Sequence, residues 1–426
     1  MRCSVLLMGL LGMGLAAQAV APVPPPPAIT LQQALALARA NSPDFQAALV
    51  AEGVAQDDKT IARAALLPSV NYLNTYTYTQ GGRAIANNGV HEYLSQGNVH
   101  EAIGLGETAA LKRADASLAL ARAQTEIAAR GLASTVTNDF YTLIASEHKA
   151  ATAEQALTDA NRYLTVSQQR EHLGEAAHAD VVKAQIEAQQ KQRDLDEAKL
   201  AQQQAQLGLA VLLYRDFNLN FTAVDDLEQA PPLPDTARIQ ALAGAKNPAL
   251  AAAQAQLAQA RQDIGIARAN FLPTLGLDYF YGIDANQFAT RNQLGQPNLG
   301  SVAIGTLNIP IFDWGANRAK LHQSDLRAQQ AQRALSLAQR QLLANLQGFY
   351  AEAATARAEL ATLASSRDLA QEAQRLSALR YQNGEATILE LVDAQNTLTQ
   401  ARNAYDDGLV RYRVALANLQ TLTGAF

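Results

Sequence analysis

Few residues in this chain are typed and spaced for chemistry. Gly104-Leu105-Gly106-Glu107-Thr108-Ala109 fits the G-x-G-x-x-A pattern of a dinucleotide fingerprint, between a strand-like and a helical pattern. That fingerprint works inside a βαβ unit of about 30 residues. The helical pattern here runs far past that length, so the segment reads as a structural corner. His172 and His178 flank a short turn and could offer imidazoles to a metal, but no third ligand accompanies them, and solvated turn residues are expected. Glu390 and Asp393 are three apart, on one helix face directly after a turn, where acids also suit the helix dipole. Asp180 stands at the matching offset, 390 − 180 = 210. Neither a nucleophile elbow, nor a paired-histidine motif, nor a phosphate loop is found. The expectation is a protein that is not an enzyme and has no catalytic residues, no cofactor and no metal site.

The elements around these residues suggest a chain that leaves the cytoplasm. Met1-Arg2, an apolar run from Val5 to Ala17 and Ala17-Gln18-Ala19 have the order of a secretory signal peptide, expected to span 1–19 and to be cut after Ala19. The single cysteine, Cys3, lies ahead of that run and is expected to leave with it. A Pro-rich stretch fills 20–30. No later segment is apolar for the roughly 18 residues of a spanning helix, so a membrane protein of this sequence must be a β-barrel. The net charge of -5 argues against a nucleic-acid partner.

An internal repeat organises the rest. Pro43 and Pro68 return as Pro248 and Pro273, at 248 − 43 = 205 and 273 − 68 = 205; Gly174-Glu175-Ala176 returns as Gly384-Glu385-Ala386, at 384 − 174 = 210. Two structural repeats, 31–213 and 236–426, flank an equatorial linker at 214–235 with Pro231-Pro232 and Pro234. Each repeat reads as a helix, two strands, a long helix, a tip turn and a helix. The first helix is expected over 31–67, strands over 68–80 and 98–106, then 273–283 and 300–311, with loops rich in Gly, Asn and Gln between partners. Val70, Tyr72, Tyr76 and Tyr78 alternate with Asn71, Thr75, Thr77 and Thr79; Leu275, Leu277, Tyr279 and Tyr281 do the same in the second repeat, the signature of a membrane barrel strand. Glu101 shares a face with Val99 and Ile103, an interruption in that pattern. The long helices, near 107–172 and 314–381, would each reach about 100 Å. Leu321, Ala328, Leu335, Leu342, Phe349, Ala356, Leu363 and Ala370 fall at sevenfold spacing, as do Leu391, Leu398, Tyr405, Tyr412 and Leu419, so coiled-coil seams are expected. The shorter helices, stacked end to end, would match one long helix. The fold class is mainly α with a membrane β-barrel. Four strands cannot close a barrel, and about three copies would give roughly 12.

These residues carry a family resemblance. The two Asn-Pro-led helices ending in Leu-Pro, the two Gly-Glu-Ala turns and Ile309-Pro310-Ile311-Phe312-Asp313-Trp314-Gly315 at the strand-to-helix corner resemble the TolC-type outer-membrane efflux protein family across nearly the whole mature chain. The resemblance implies a homotrimeric channel-tunnel in the lipid of the bacterial outer membrane, with a large periplasmic domain. It implies docking to a periplasmic adaptor and to an inner-membrane pump of the resistance-nodulation-division, ABC or major facilitator type, in efflux or type I secretion. Carried over by motif, the periplasmic gate falls on Asp180, Tyr381, Glu390 and Asp393, adaptor docking on Gly174, Glu175, Gly384 and Glu385, and the barrel corner on Pro310, Phe312, Asp313 and Gly315. Ala386 stands where the family often has arginine, so what carries over is an acidic constriction. The rival reading is a soluble periplasmic coiled-coil scaffold or adhesin stalk. It accounts for the helices but not for two tyrosine-rich strand pairs at matched positions.

Overall fold

The computed structural model describes residues 27–78, 91–216, 221–229 and 231–424. The expected signal peptide and the residues between the first two strands, 79–90, lie outside them. The elements in chain order are β1 (Ala28–Ile29), α1 (Leu31–Asn41), α2 (Pro43–Ala64), β2 (Ser69–Tyr78), β3 (His91–Ile103), α3 (Leu105–His172) and α4 (His178–Leu213), followed by β4 (Thr222–Ala223), α5 (Thr236–Lys246), α6 (Pro248–Ala269), β5 (Thr274–Ala285), β6 (Leu299–Asn308), α7 (Ala316–Gln382) and α8 (Ile388–Thr423).

The expected single helix over 31–67 is two. Ser42 sits at ψ 119, its hydroxyl accepts from the Phe45 amide, and Pro43 opens α2. A residue ahead of proline is pushed out of the helical region, and proline at the first helical position loses no hydrogen bond there. Asn247 and Pro248 repeat the break between α5 and α6. The first break is also where the column is stacked: the Asn41 amide donates to the carbonyl of Leu213, the last residue of α4, at 2.6 Å. Thus α2 covers the upper part of α3 and α4 the lower part.

The sheet order is β2-β3-β5-β6, antiparallel throughout, so β2 and β6 are open edges. Pairing runs Val70↔Val99↔Tyr279↔Ala303, which puts Tyr72, Tyr76, Tyr93, Tyr279 and Tyr281 on one face. Asn71, Asn98, His100, Asp278 and Thr306 lie on the other face, where Asp278 accepts from Asn98 and pairs with His100 at 2.8 Å. Two strand spans differ from the sequence reading. β3 begins at His91, because Tyr76 and Tyr78 extend the ladder to Tyr93 and His91. β6 ends at Asn308, before Pro310, which has no amide to give a ladder.

The sevenfold stripe of α7 is part of its packed face: all eight positions are half-buried or buried, and Ser324, Leu346 and Ala353, three or four residues from a stripe position, are buried beside it. In α8, Leu391, Leu398, Tyr412 and Leu419 are buried. The largest core lies at the belt, where Val136, Phe140, Tyr141 and Ile144 of α3 meet Leu209 and Leu213 of α4 and Phe221 and Leu227 of the linker.

Candidate periplasmic tip and gate

Both hairpin tips turn on a glycine. Gly174 has φ 77 and Gly384 φ 79, a backbone region that L side chains rarely occupy. At each, two amides satisfy carbonyls of the preceding helix: Glu175 to Arg170 at 2.8 Å and Gly174 to Glu171 at 2.9 Å, then Glu385 to Arg380 at 2.8 Å and Gly384 to Tyr381 at 3.1 Å. This satisfies two of the carbonyls that a helix end leaves without an intrahelical partner. Thr387 then caps α8 by accepting from the Glu390 amide.

The four gate residues are placed differently. Tyr381 is buried in a small core with Tyr163, Ile388 and Leu391. Its hydroxyl shares a 2.6 Å hydrogen bond with Ser167, its carbonyl accepts from Arg170 at 3.0 Å, and the Arg170 guanidinium lies 5.3 Å from its ring centroid. Glu390 is exposed and pairs with Arg380 at 3.3 Å, which also donates to the Glu385 carbonyl. Asp180 is half-buried and Asp393 exposed; neither carboxylate has a partner among the described residues. Within one chain, Tyr381 joins the two hairpins, while Asp180 stands in the first turn of α4 and Glu390 and Asp393 at the start of α8. His178 pairs with Glu171 at 2.7 Å, while His172 is exposed.

Residues that the sequence did not single out hold these elements. Ser167 and Arg170 of α3 make the cross-hairpin contacts to Tyr381. At the belt, His148 lies between Asp225 (2.8 Å) and Asp406 (3.3 Å), joining α3, the linker and α8. Hydrogen bonding to Asp406, and then to Asp225, outweighs burial and raises the His148 pKa to about 9. Arg413 donates to the Asp226 and Leu227 carbonyls and lies 4.8 Å from the Tyr141 ring centroid. Burial pushes the Tyr141 hydroxyl far up its range. Nothing in sequence spacing marks these partners, which are brought together only by the fold.

At the barrel corner, Asp313 accepts from the Gly315 amide at 3.0 Å and the Asn317 amide at 2.6 Å, starting α7. The G-x-G-x-x-A segment is a corner too. Gly104 precedes α3, and Gly106 faces α6, where an added Cβ would sit in ordinary contact, 3.7 Å from Ala269 Cβ. No helix among the described residues is long and apolar enough to cross a membrane.

The model of the outer membrane efflux protein family matches residues 34–213 and 240–425, both repeats. The pyoverdine export outer membrane protein OpmQ of Pseudomonas aeruginosa is 26% identical over 93% of this chain and 84% of its own length. The cobalt-zinc-cadmium resistance protein CzcC of Cupriavidus metallidurans is 23% identical over 88% of this chain and 85% of its own. OprJ of Pseudomonas aeruginosa, 29% identical, aligns over 41% of this chain and 36% of its own length. Among solved structures, the outer membrane protein VceC of Vibrio cholerae superposes with TM-score 0.80 at 20% identity, covering 93% of this chain and 96% of that one. The Campylobacter jejuni CmeC outer membrane channel gives 0.79 at 17% identity, covering 92% and 85%. These matches give no support to the scaffold reading. The chain belongs to the outer membrane efflux protein family, whose members are outer-membrane channels carrying long periplasmic helical barrels.

Proposed function

We propose that three copies of this chain close into one channel-tunnel, a roughly 12-stranded barrel in the outer membrane above a periplasmic helical barrel, serving as a passive exit duct. The observation that carries this reading is the pair of open strands. β2 and β6 are edges, their residues are exposed, and an unpaired ladder cannot sit in lipid. A closed ring of such sheets turns the tyrosine face to lipid and leaves the mixed face, with Asn71, Asn98, His100 and Asp278 among Leu73, Phe280, Val302 and Ile304, lining water. The tip turns at Gly174, Glu175, Gly384 and Glu385 dock a periplasmic adaptor, through which an inner-membrane pump delivers cargo.

Cargo choice belongs to the pump rather than to the duct. Relatives are named for pyoverdine export in one case and for cobalt, zinc and cadmium resistance in another, on one shared fold. The gate is the tip: the buried Tyr381 contact holds the hairpins together, and the unpaired Asp180 and Asp393 supply negative charge at the narrow end. Extraction in mild detergent followed by mass measurement tests the assembly. A trimer is expected, and a monodisperse monomer would overturn the reading.

A further inference from the structure

The two repeats turn their sheet-to-helix corner differently. Between β3 and α3 stands one residue, Gly104, while seven residues, 309–315, separate β6 from α7. Within those seven, Phe312 is 72% and Trp314 91% exposed, their rings meeting edge-on at 4.9 Å. Trp314 has φ 56, the only non-glycine at positive φ among the described residues, and Gly315 follows at φ 83. A bulky side chain in that region is strained. Among the described residues the indole is 91% exposed and its ring contact is with Phe312.

The internal repeat shows what lies beside this corner. Inside one chain the corner after β3 abuts the end of α6. A Cβ on Gly106 would lie 3.7 Å from Ala269 Cβ, and one on Gly265 would lie 3.4 Å from Ala109 Cβ. Shifting α3 by 210 and α6 by 205 carries this seam onto Ala316 and Ala319 of one copy and Ala64 and Thr60 of the next. Trp314, two residues before Ala316, then meets the last turn of α2 and the turn after it in that next copy, where Ile61 is 67% and Leu67 63% exposed. β6 and β2, the open strands, are brought together at the same place.

We propose that residues 309–315 form a subunit clasp, the Phe312–Trp314 ring pair packing onto residues 61–68 of the neighbouring copy. This rests on the assembly reading above. A lipid girdle is the competing occupant, but lipid surrounds every corner of a barrel alike. The exposed aromatic pair is present only at the corner that borders the next copy, and Gly104 stands at the inner one.

The chain's single tryptophan and single cysteine make the test direct. In a Cys3→Ser background, chains carrying Trp314→Cys and chains carrying Leu67→Cys are co-expressed and treated with a short thiol cross-linker. A covalent dimer is expected from the mixture and none from either variant alone. The pair Leu326→Cys and Val54→Cys, further along the same seam, reports the assembly independently of the corner. In parallel, Trp314 fluorescence of the unsubstituted protein in vesicles of brominated-chain phospholipid should match that in ordinary vesicles. Cross-linking at 326/54 without cross-linking at 314/67, together with more than twofold quenching by brominated lipid, would overturn the clasp and leave the assembly standing. Cross-linking at neither pair would overturn both.

Discussion

α2 and α6 are the same element written twice, each 22 residues long, opened by proline and closed by the same Arg-Ala step. They are not buried alike. α6 lies between α3 and α7 and buries eight residues, whereas α2 has α3 on one side only and buries one, Ala55. Ala255 is buried, yet Val50, at the same place in the repeat, is 66% exposed; Ile266 is half-buried, yet Ile61 is open. The long helices differ in the same way: α3 buries 22 residues and α7 six. Leu326 and Leu343 stand exposed where α3 has the buried Ala116 and Ala133. Equivalent helices of the two repeats with such unequal cover mean that the less covered one is missing a neighbour, and the side chains it exposes are core-like in type.

The largest expected effect tests that comparison. Val50→Glu with Ile61→Glu should abolish the trimer while leaving the helical content of the monomer unchanged by circular dichroism. Ala255→Glu, on the repeat-equivalent helix, should instead unfold the chain, because a carboxylate there loses water within the monomer, at a cost of several kcal/mol. If both variants behave alike, the missing-neighbour argument fails.

The tips give a second, smaller contrast. A valine at Gly174 suffers only the left-handed backbone, on the order of 1–2 kcal/mol, since nothing lies within 4 Å of its Cβ. At Gly384 the added Cβ also falls 3.1 Å from the Arg170 guanidinium, which holds Tyr381. Gly384→Val should therefore impair export more than Gly174→Val, with trimer yield nearly intact in both. Equal export by the two variants would detach Arg170 from gating.

These contrasts also show what could be read in advance. The α7 stripe was legible because a seam needs one residue type every seven positions, a purely local pattern. The tyrosine face of β2 was legible by alternation. The break at Ser42-Pro43 was also visible as a cap followed by proline, but the helical pattern on both sides hid it. The contacts to Tyr381 were not legible: Ser167 and Arg170 lie more than 200 residues away, at separations of 214 and 211, and only the tertiary fold brings them near. The His148 clasp is the same case, drawing on the linker and on α8.

That clasp makes a pH prediction of intermediate size. Its pKa is raised from 6.5 to about 9, so the charged histidine favours the folded state. The contribution is complete below about pH 6.5 and is lost as pH rises toward 9. The urea midpoint should fall between pH 6.5 and 9.5 in the wild type, and fall less in His148→Gln. A midpoint with the same pH slope in both proteins would remove His148 as the cause.

The smallest effect belongs to the pair Arg170 and Arg380, equivalent by the 210 offset but differently employed. Arg170 crosses between hairpins to the Tyr381 carbonyl, whereas Arg380 stays within its own hairpin, on Glu390 and the Glu385 carbonyl. The Arg380–Glu390 pair is about half exposed on both sides, where ion pairs contribute under about 1 kcal/mol. Because Glu390 is already matched by a cation, Glu390→Gln should hardly change cation preference in planar-bilayer recordings. Asp393→Asn removes an unmatched charge and should lower that preference, three copies acting together near the axis where low-dielectric walls concentrate the field. Arg380→Ala leaves Glu390 unmatched and should shift selectivity toward cations. If Glu390→Gln alone abolishes cation preference, Arg380 does not neutralise Glu390 in the assembled channel, and the two arginines are not divided between joining hairpins and screening charge.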